Sequence, residues 1–341
     1  MYLVQYTVVL ITSLILAASL TPLAGWLGRR LSIVDRPGGR RTHQGKVPRL
    51  GGVPLFLAFV VAVIVGRAMG IPTDDAKEPV RLLGLMIGSA LMFVVGLIDD
   101  RWELGPLPQF AAQFVAGVIA VVTLIILERF NNPLTDTEIV LPPILFVPLT
   151  VFWVMGTITT VNWLDGLDGL SAGVGGILCI VLAIHMHSVG QPSVALLPLA
   201  LLGALLGFLP YNFAPARIFL GSAGAFFLGY ALSCLGLIAG ARVAAVLLVF
   251  GLPIVDVAWQ IFDRVRRRRS PAQGDRGHLH FRLLDKGISP RVIVLGYWGF
   301  CALFGVLTLA TPSRLYKLLA LAGIGVVVLV VLAWLSRAEE Q

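Results

Sequence analysis

Apolar residues in this chain come in long runs, not at every second position. Runs of about 17 to 23 residues lie near 4–26, 50–70, 80–98, 107–127, 142–158, 169–186, 193–210, 218–238, 243–262, 292–310 and 315–336. A helix needs about 20 such residues to cross a hydrocarbon core roughly 30 Å thick. Membrane β-barrels alternate apolar and polar residues, and these runs do not. The pattern predicts an all-α polytopic membrane protein with eleven transmembrane helices. Gly, Pro and His interrupt the fifth, sixth and seventh runs.

Composition agrees. The chain is 57% hydrophobic and only 13% charged, against about 25% charged in soluble domains. Of the 26 Lys and Arg, 19 fall on the side that takes loops 27–49, 99–106, 159–168, 211–217 and 263–291 and the C-terminus, and seven on the other. Short loops rich in Lys and Arg stay cytoplasmic. The N-terminus is therefore expected outside and the C-terminus inside, in a cell inner or plasma membrane, as one domain over 1–341. "SLTPLAG" faintly resembles a signal-peptidase site, but the basic residues Arg29 and Arg30 follow the first run, the order of a retained helix. Cys179, Cys234 and Cys301 lie inside apolar runs at wide spacing, without a metal or disulfide pattern. "RVRRRR" opens the longest polar loop. It suits anchoring on anionic lipid or steering of a polyanionic substrate; without interleaved aromatics, nucleic acid is not expected.

The polar residues that break this pattern carry the candidate chemistry. "VVGLIDDRW" ends the third run on Asp99 and Asp100. Adjacent carboxylates repel, and a helix C-terminus disfavours negative charge. Something positive must compensate, either Arg101 or a divalent metal; a solvated helix end with Arg101 as counter-ion is the plain alternative. "TVNWLDGLDGLSAG" places Asp165 and Asp168 three apart after Asn162, on one face if this turn is helical. Four carboxylates at one membrane face suit Mg²⁺, which binds one or two carboxylates with waters and substrate phosphates; two Asx-Gly turns would be the bland account. "YNFAPARIFLGSAG" brings Asn212 and Arg217 to the same face, and its glycine-rich turn either offers backbone N–H to phosphate or lets helices approach closely. "DRGHLHFRLLDKG" sets His278 and His280 beside Arg276 and Arg282. With no third ligand nearby, phosphate or sugar is expected there, not zinc. His43 lies in the basic loop "VDRPGGRRTHQGKVPRLGG", and Asp256 inside an apolar run, where a carboxylate is expensive.

Taken in order, "DRPGGRRTH…PRLGG", "GLIDDR", "NWLDGLDGLSAG", "YNFAPARIFLG" and "RSPAQGDRGHLHFRLLD" resemble the polyprenyl-phosphate N-acetylhexosamine-1-phosphate transferases over residues 34 to 290. The "HLHFRLLD" form is similar to the branch using UDP-N-acetylglucosamine. The resemblance implies ten or eleven membrane helices and a cytoplasm-facing site. There a UDP-HexNAc gives its sugar 1-phosphate to undecaprenyl or another polyprenyl phosphate, with Mg²⁺ (or Mn²⁺) required and UMP released, which starts a cell-envelope glycan. It leaves a homodimer open. It implies Asp99, Asp100, Asp165 and Asp168 as catalytic. It implies His43, Asn162, Asn212, Arg276, His278, His280 and Arg282 as substrate-binding, and Asp99, Asp100 and position 222 as metal ligands. Three departures stand out: Ser222 replaces the family's metal-binding aspartate, Phe281 a third loop histidine, and Ala225 a serine. Ser222 motivates a second reading, a weakened or inactive paralogue that binds lipid or nucleotide or partners an active transferase. A secondary transporter is disfavoured, because carboxylates paired at one face are not a midplane site.

Overall fold

The computed structural model describes residues 2–35, 45–73, 75–135, 137–239, 243–268, 270, 277–311 and 313–337, with side chains to 333 in the last helix. Its helices are α1 (Leu3–Arg30), α2 (Gly52–Ala68), α3 (Glu78–Trp102), α4 (Pro106–Val122), α5 (Pro143–Leu164), α6 (Leu170–Ser188), α7 (Pro192–Asn212), α8 (Gly221–Ile238), α9 (Val243–Val249), α10 (Gly251–Arg266), α11 (Leu279–Asp285), α12 (Pro290–Ala310) and α13 (Arg314–Arg337). Two small antiparallel pairs complete the described residues: β1 (Val34–Asp35) with β2 (Val47–Pro48), and β3 (Arg129–Asn131) with β4 (Glu138–Val140). Proline opens α3, α4, α5, α7 and α12 in the first turn, where its missing N–H costs nothing and its fixed φ suits a helix.

Every predicted run is helical, but not every helix meets the length of a span. Among the described residues eight helices are long and apolar enough to cross a membrane, and nine if the pair α9 and α10 counts as one span. That pair is bent by 78°, so the ninth predicted run is a broken helix, not a straight one. The remaining two, α2 and α4, have 17 residues each. Both end early at left-handed residues, Gly70 (φ +67°) and Leu124 (φ +60°). Elsewhere the helices run into the predicted loops: α5 continues to Leu164, α7 to Asn212 and α10 to Arg266.

Successive helices from α1 to α8 reverse direction, and this sorts the polar residues to two ends. At one end Glu78, 4% exposed, is paired with Arg67 and accepts the Ser193 hydroxyl at 2.6 Å, while the Tyr6 hydroxyl meets His187 Nδ1 at 3.0 Å. At the other end lie the end of α3, the start of α6 and the start of α8, with the aspartates of both predicted motifs.

α8 is the centre of the bundle, buried along its whole length. Lipid tails are as apolar as the side chains, so close packing, not the hydrophobic effect, holds such helices together. Small residues provide it. A Cβ on Gly52 would come within 2.3 Å of Gly224 N, one on Gly96 within 2.3 Å of Ala223 Cα, and one on Gly229 within 2.6 Å of Ile158 Cα. All three obstacles are backbone, so α2, α3 and α5 meet α8 main chain to main chain. Gly96→Val is therefore expected to destabilise the bundle by about 1–3 kcal/mol or more, the usual cost of overpacking, read as a lowered unfolding midpoint in detergent. Gly299→Val, on an open position of α12, should leave it unchanged.

Candidate active site

Asp99 and Asp100 occupy the last turn of α3 and are 7% and 6% exposed. Neighbours on a helix point about 100° apart, and the two carboxylates go to different tasks. Asp99 Oδ1 accepts the backbone N–H of Leu104 and the Gln109 amide, both at 2.9 Å. It thereby closes the left-handed turn at Glu103 (φ +50°) that leads into α4. Asp100 reaches across to α8: Oδ1 accepts the N–H of Ser222 at 2.8 Å and Oδ2 that of Ala223 at 3.0 Å. The N–H groups expected to face a phosphate are thus donated to a carboxylate. The compensating cation is Arg49, whose Nε stands 3.5 Å from Asp100 Oδ1; Arg101 is exposed. Arg49 Nη1 also lies 3.7 Å from Asp35 and 3.6 Å from Glu103. Gly221 (φ +74°) makes the approach feasible, since a Cβ there would fall 2.2 Å from Arg49 O and 2.7 Å from Asp100 Oδ2.

Residues 165–169, between α5 and α6, form a turn and not the helical turn that the i, i+3 spacing would need. Asp165 and Asp168 consequently diverge. Asp165 Oδ1 accepts the Ser171 hydroxyl at 2.6 Å, and Asp168 Oδ2 accepts Ala216 N–H at 2.8 Å. Asn212 ties the same two segments together: Oδ1 accepts Gly169 N–H at 3.1 Å and Nδ2 donates to Ile218 O at 3.0 Å. It is 2% exposed with both ends of its amide engaged, so it holds loops in place. Asn162, half-buried near the end of α5, makes no side-chain hydrogen bond among the described residues. Asp165 keeps an exposed edge but is ringed by protein, and burial lifts its carboxyl to about 8; Ser171 and Arg49 pull it down, while Asp100 and Asp168 push it further up. The carboxylates of both motifs therefore lie within electrostatic reach of one another.

The third component is α11. His278 and His280 stack with ring centres 5.6 Å apart, and His278 stands edge-on to Trp163 at 5.4 Å. A Cβ on Gly166 would meet His280 Nε2 at 2.5 Å and Phe281 Cζ at 2.9 Å. The histidine segment therefore rests on the aspartate turn, with Gly166 as the seat. Burial lowers the His280 imidazole to a pKa of about 3, against the opposing pull of Asp256. Among the described residues neither His280 nitrogen has a hydrogen-bond partner, nor does the buried Tyr297 hydroxyl, 6.5 Å away ring to ring. Arg282, 4% exposed, donates through Nε to Gly277 O at 2.6 Å. Ser222 is 8% exposed and contributes its backbone N–H to Asp100. His43 and Arg276 lie outside the described residues.

Arg49, Gln109 and Gly166 did not emerge as site residues from the sequence. Arg49 had a usable signal, a basic residue in "PRLGG" beside an uncompensated carboxylate pair; the other two had none. Among the described residues no three His, Cys, Asp or Glu groups stand together as a ready metal cage. Asp100 pushes the Asp165 carboxyl up, and two acids that repel would suit a divalent cation whose shell a ligand's phosphates complete.

The site can be set beside known proteins. A model described as Glycosyl transferase family 4 matches residues 82–240, from α3 through α8. The chain is 30% identical over 316 residues to a probable undecaprenyl-phosphate N-acetylglucosaminyl 1-phosphate transferase of Bacillus subtilis (strain 168), covering 91% of this chain and 86% of that one. It is 34% identical over 298 residues to a decaprenyl-phosphate N-acetylglucosaminephosphotransferase of Mycobacterium tuberculosis, covering 79% and 73%. It is 26% identical over 276 residues to an undecaprenyl-phosphate alpha-N-acetylglucosaminyl 1-phosphate transferase of Yersinia pestis, covering 77% and 72%. With its length matched so fully, and its acidic turns inside the matched region, the chain belongs to glycosyl transferase family 4.

Proposed function

We propose that this chain transfers N-acetylglucosamine 1-phosphate from UDP-N-acetylglucosamine to undecaprenyl or another polyprenyl phosphate at the cytoplasmic face of the plasma membrane, and that all eleven apolar runs cross it with the N-terminus outside. The observation that carries the reading is the gathering of Asp100, Asp165, Asp168 and Arg49 at one end of a membrane bundle, in a chain similar to enzymes named for that transfer. An oxygen of the lipid phosphate attacks the β-phosphorus of the nucleotide sugar. The bond from that phosphorus to the bridging oxygen breaks, UMP leaves, and the product is a lipid diphosphate sugar. Such reactions are accelerated by positioning and charge neutralisation more than by covalent chemistry.

Each group has a task in this scheme. Asp99 Oδ2, unengaged by any described residue, is the carboxylate available to orient the lipid phosphate, while Oδ1 holds the α3–α4 turn. Asp100 and Asp165 would hold Mg²⁺, which when bound offsets the charge of the diphosphate. Arg49 shares that work from the protein side, and Asn162, whose amide no described residue engages, would face the nucleotide. His278 and His280 recognise the sugar. Ser222 stands where a carboxylate would strengthen the metal shell, so the chain relies on its remaining acids and on the substrate's phosphates.

Purified protein in nanodiscs, given radiolabelled UDP-N-acetylglucosamine, polyprenyl phosphate and Mg²⁺, should form a labelled lipid and release UMP, and EDTA should stop it. Failure with every UDP-N-acetylhexosamine tried would reject the reading in favour of a binding paralogue. Asp100→Asn and Asp165→Asn should each lower kcat by ~10²-fold or more, as loss of a preorganised charged group does. Ser222→Asp should reduce the Mg²⁺ concentration needed for half-maximal rate; an increase would contradict the metal assignment.

A further inference from the structure

A carboxylate within an apolar helix is costly unless it is paired, and Asp256 of α10 is 3% exposed. Both of its oxygens are engaged. Oδ2 lies 2.9 Å from His278 Nδ1, and Oδ1 accepts the backbone N–H of Leu279 at 2.9 Å. One turn along the same face, Gln260 is 1% exposed and donates through Nε2 to Gly277 O, the carbonyl that also accepts Arg282 Nε. A further turn on, the Arg264 guanidinium sits 5.0 Å over the ring of Trp163, which faces His278. Residues spaced by four share a helix face. The polar face of α10 is thus a clamp on residues 277–279.

The clamp sets a protonation pattern. A neutral imidazole carries one N–H, and an ionised carboxylate only accepts. Asp256 Oδ2 at Nδ1 therefore places the proton on Nδ1. Leu279 N–H occupies the other oxygen, so the carboxylate cannot turn away. Nε2 keeps its lone pair, which no described residue engages, on a ring that stands against Trp163, two residues before Asp165.

We propose that Asp256 is a positioning residue for the transfer: it locks His278 as the Nδ1–H tautomer and presents Nε2 as an acceptor to a hydroxyl or amide N–H of the bound sugar. The sugar as ligand rests on the transferase reading; the tautomer does not.

The test uses the full-length chain in nanodiscs, labelled with ¹⁵N-histidine. The His278 signals are those missing from His278→Asn, and should report a neutral ring protonated at Nδ1. Asp256→Asn offers one acceptor oxygen for two donors. With that oxygen on Leu279 N–H, its NH₂ faces the ring and should convert His278 to the Nε2–H tautomer. In the same variant kcat/KM for UDP-N-acetylglucosamine should fall ~10²-fold, as when a histidine loses the partner that orients it, with KM for the lipid phosphate unchanged. In the His278→Asn background, Asp256→Asn should cost nothing further. Gln260→Leu loosens the same turn and should leave the tautomer as it was. The proposal is overturned by a His278 ring protonated at Nε2 or at both nitrogens in the unaltered chain, a result that needs no variant to fold. It is equally overturned by an unchanged tautomer in Asp256→Asn, or by an undiminished loss in the double variant. If the tautomer is as expected and no UDP-sugar turns over, the transferase reading fails and the clamp stands.

Discussion

The carboxylate of Asp100 seated on the first turn of α8 is the contact on which the site depends. It answers the oddity of two acids ending an apolar helix. At the C-terminus of α3 the helix dipole opposes their charge; at the N-terminus of α8 it favours it. Asp100 trades one for the other by crossing between helices, and two backbone N–H groups with no intrahelical partner gain an ionic acceptor. Leu220, the residue before α8, gives no side-chain cap, so the cap comes from another helix. Arg49 supplies the remaining counter-charge. An unpaired ion in such a place would cost several kcal/mol, which ties the start of α8 to the end of α3.

That tie is feasible only because the backbones nearly touch. Gly96 lies four residues before Asp100, on the same face of α3, and its missing side chain lets Ala223 of α8 approach. Gly52 does the same for α2 against Gly224. Gly221 adopts a left-handed conformation where any side chain would strike both Arg49 and Asp100. The glycine-rich start of α8 could be read as a phosphate cradle or as a packing device. The structure uses it for packing, and a carboxylate takes the N–H groups of its second and third residues.

How far the sequence foretold this depended on the range of the interaction. Apolar runs reflect a one-dimensional constraint, the thickness of the bilayer, and each of them is helical, the ninth as the bent pair α9 and α10. The gathering of acids at one end also follows from counting helices that alternate in direction. What escaped was set by contacts distant along the chain. The bend between α9 and α10 has no proline at the break, Pro253 being two residues inside α10. The spacing of Asp165 and Asp168 suits a helix, yet the chain turns at Gly169 (φ +82°), and Asn212 pins that turn from α7. Arg49 is one basic residue among many until Asp100 is seen beside it. Gly166 looks like turn chemistry until His280 and Phe281 are found in the space it leaves.

A single device recurs through the site. Asp99 accepts the N–H of Leu104, Asp100 those of Ser222 and Ala223, Asp168 that of Ala216, and Asp256 that of Leu279. Asp99, Asp100 and Asp256 each reach from one helix to main chain at or near the start of another, and Asp168 holds the segment that leads to α8. Loops at a membrane surface have little apolar area with which to hold themselves, and charge-assisted hydrogen bonds to backbone substitute for it. A carboxylate has room for about four hydrogen bonds, so an oxygen that caps a helix can still face a ligand. The acids available for phosphate chemistry are therefore also the fasteners of their own loops. Removing such a side chain outright confounds the two roles, whereas an isosteric amide keeps the shape and alters only charge and donor pattern, which is where the chemistry resides.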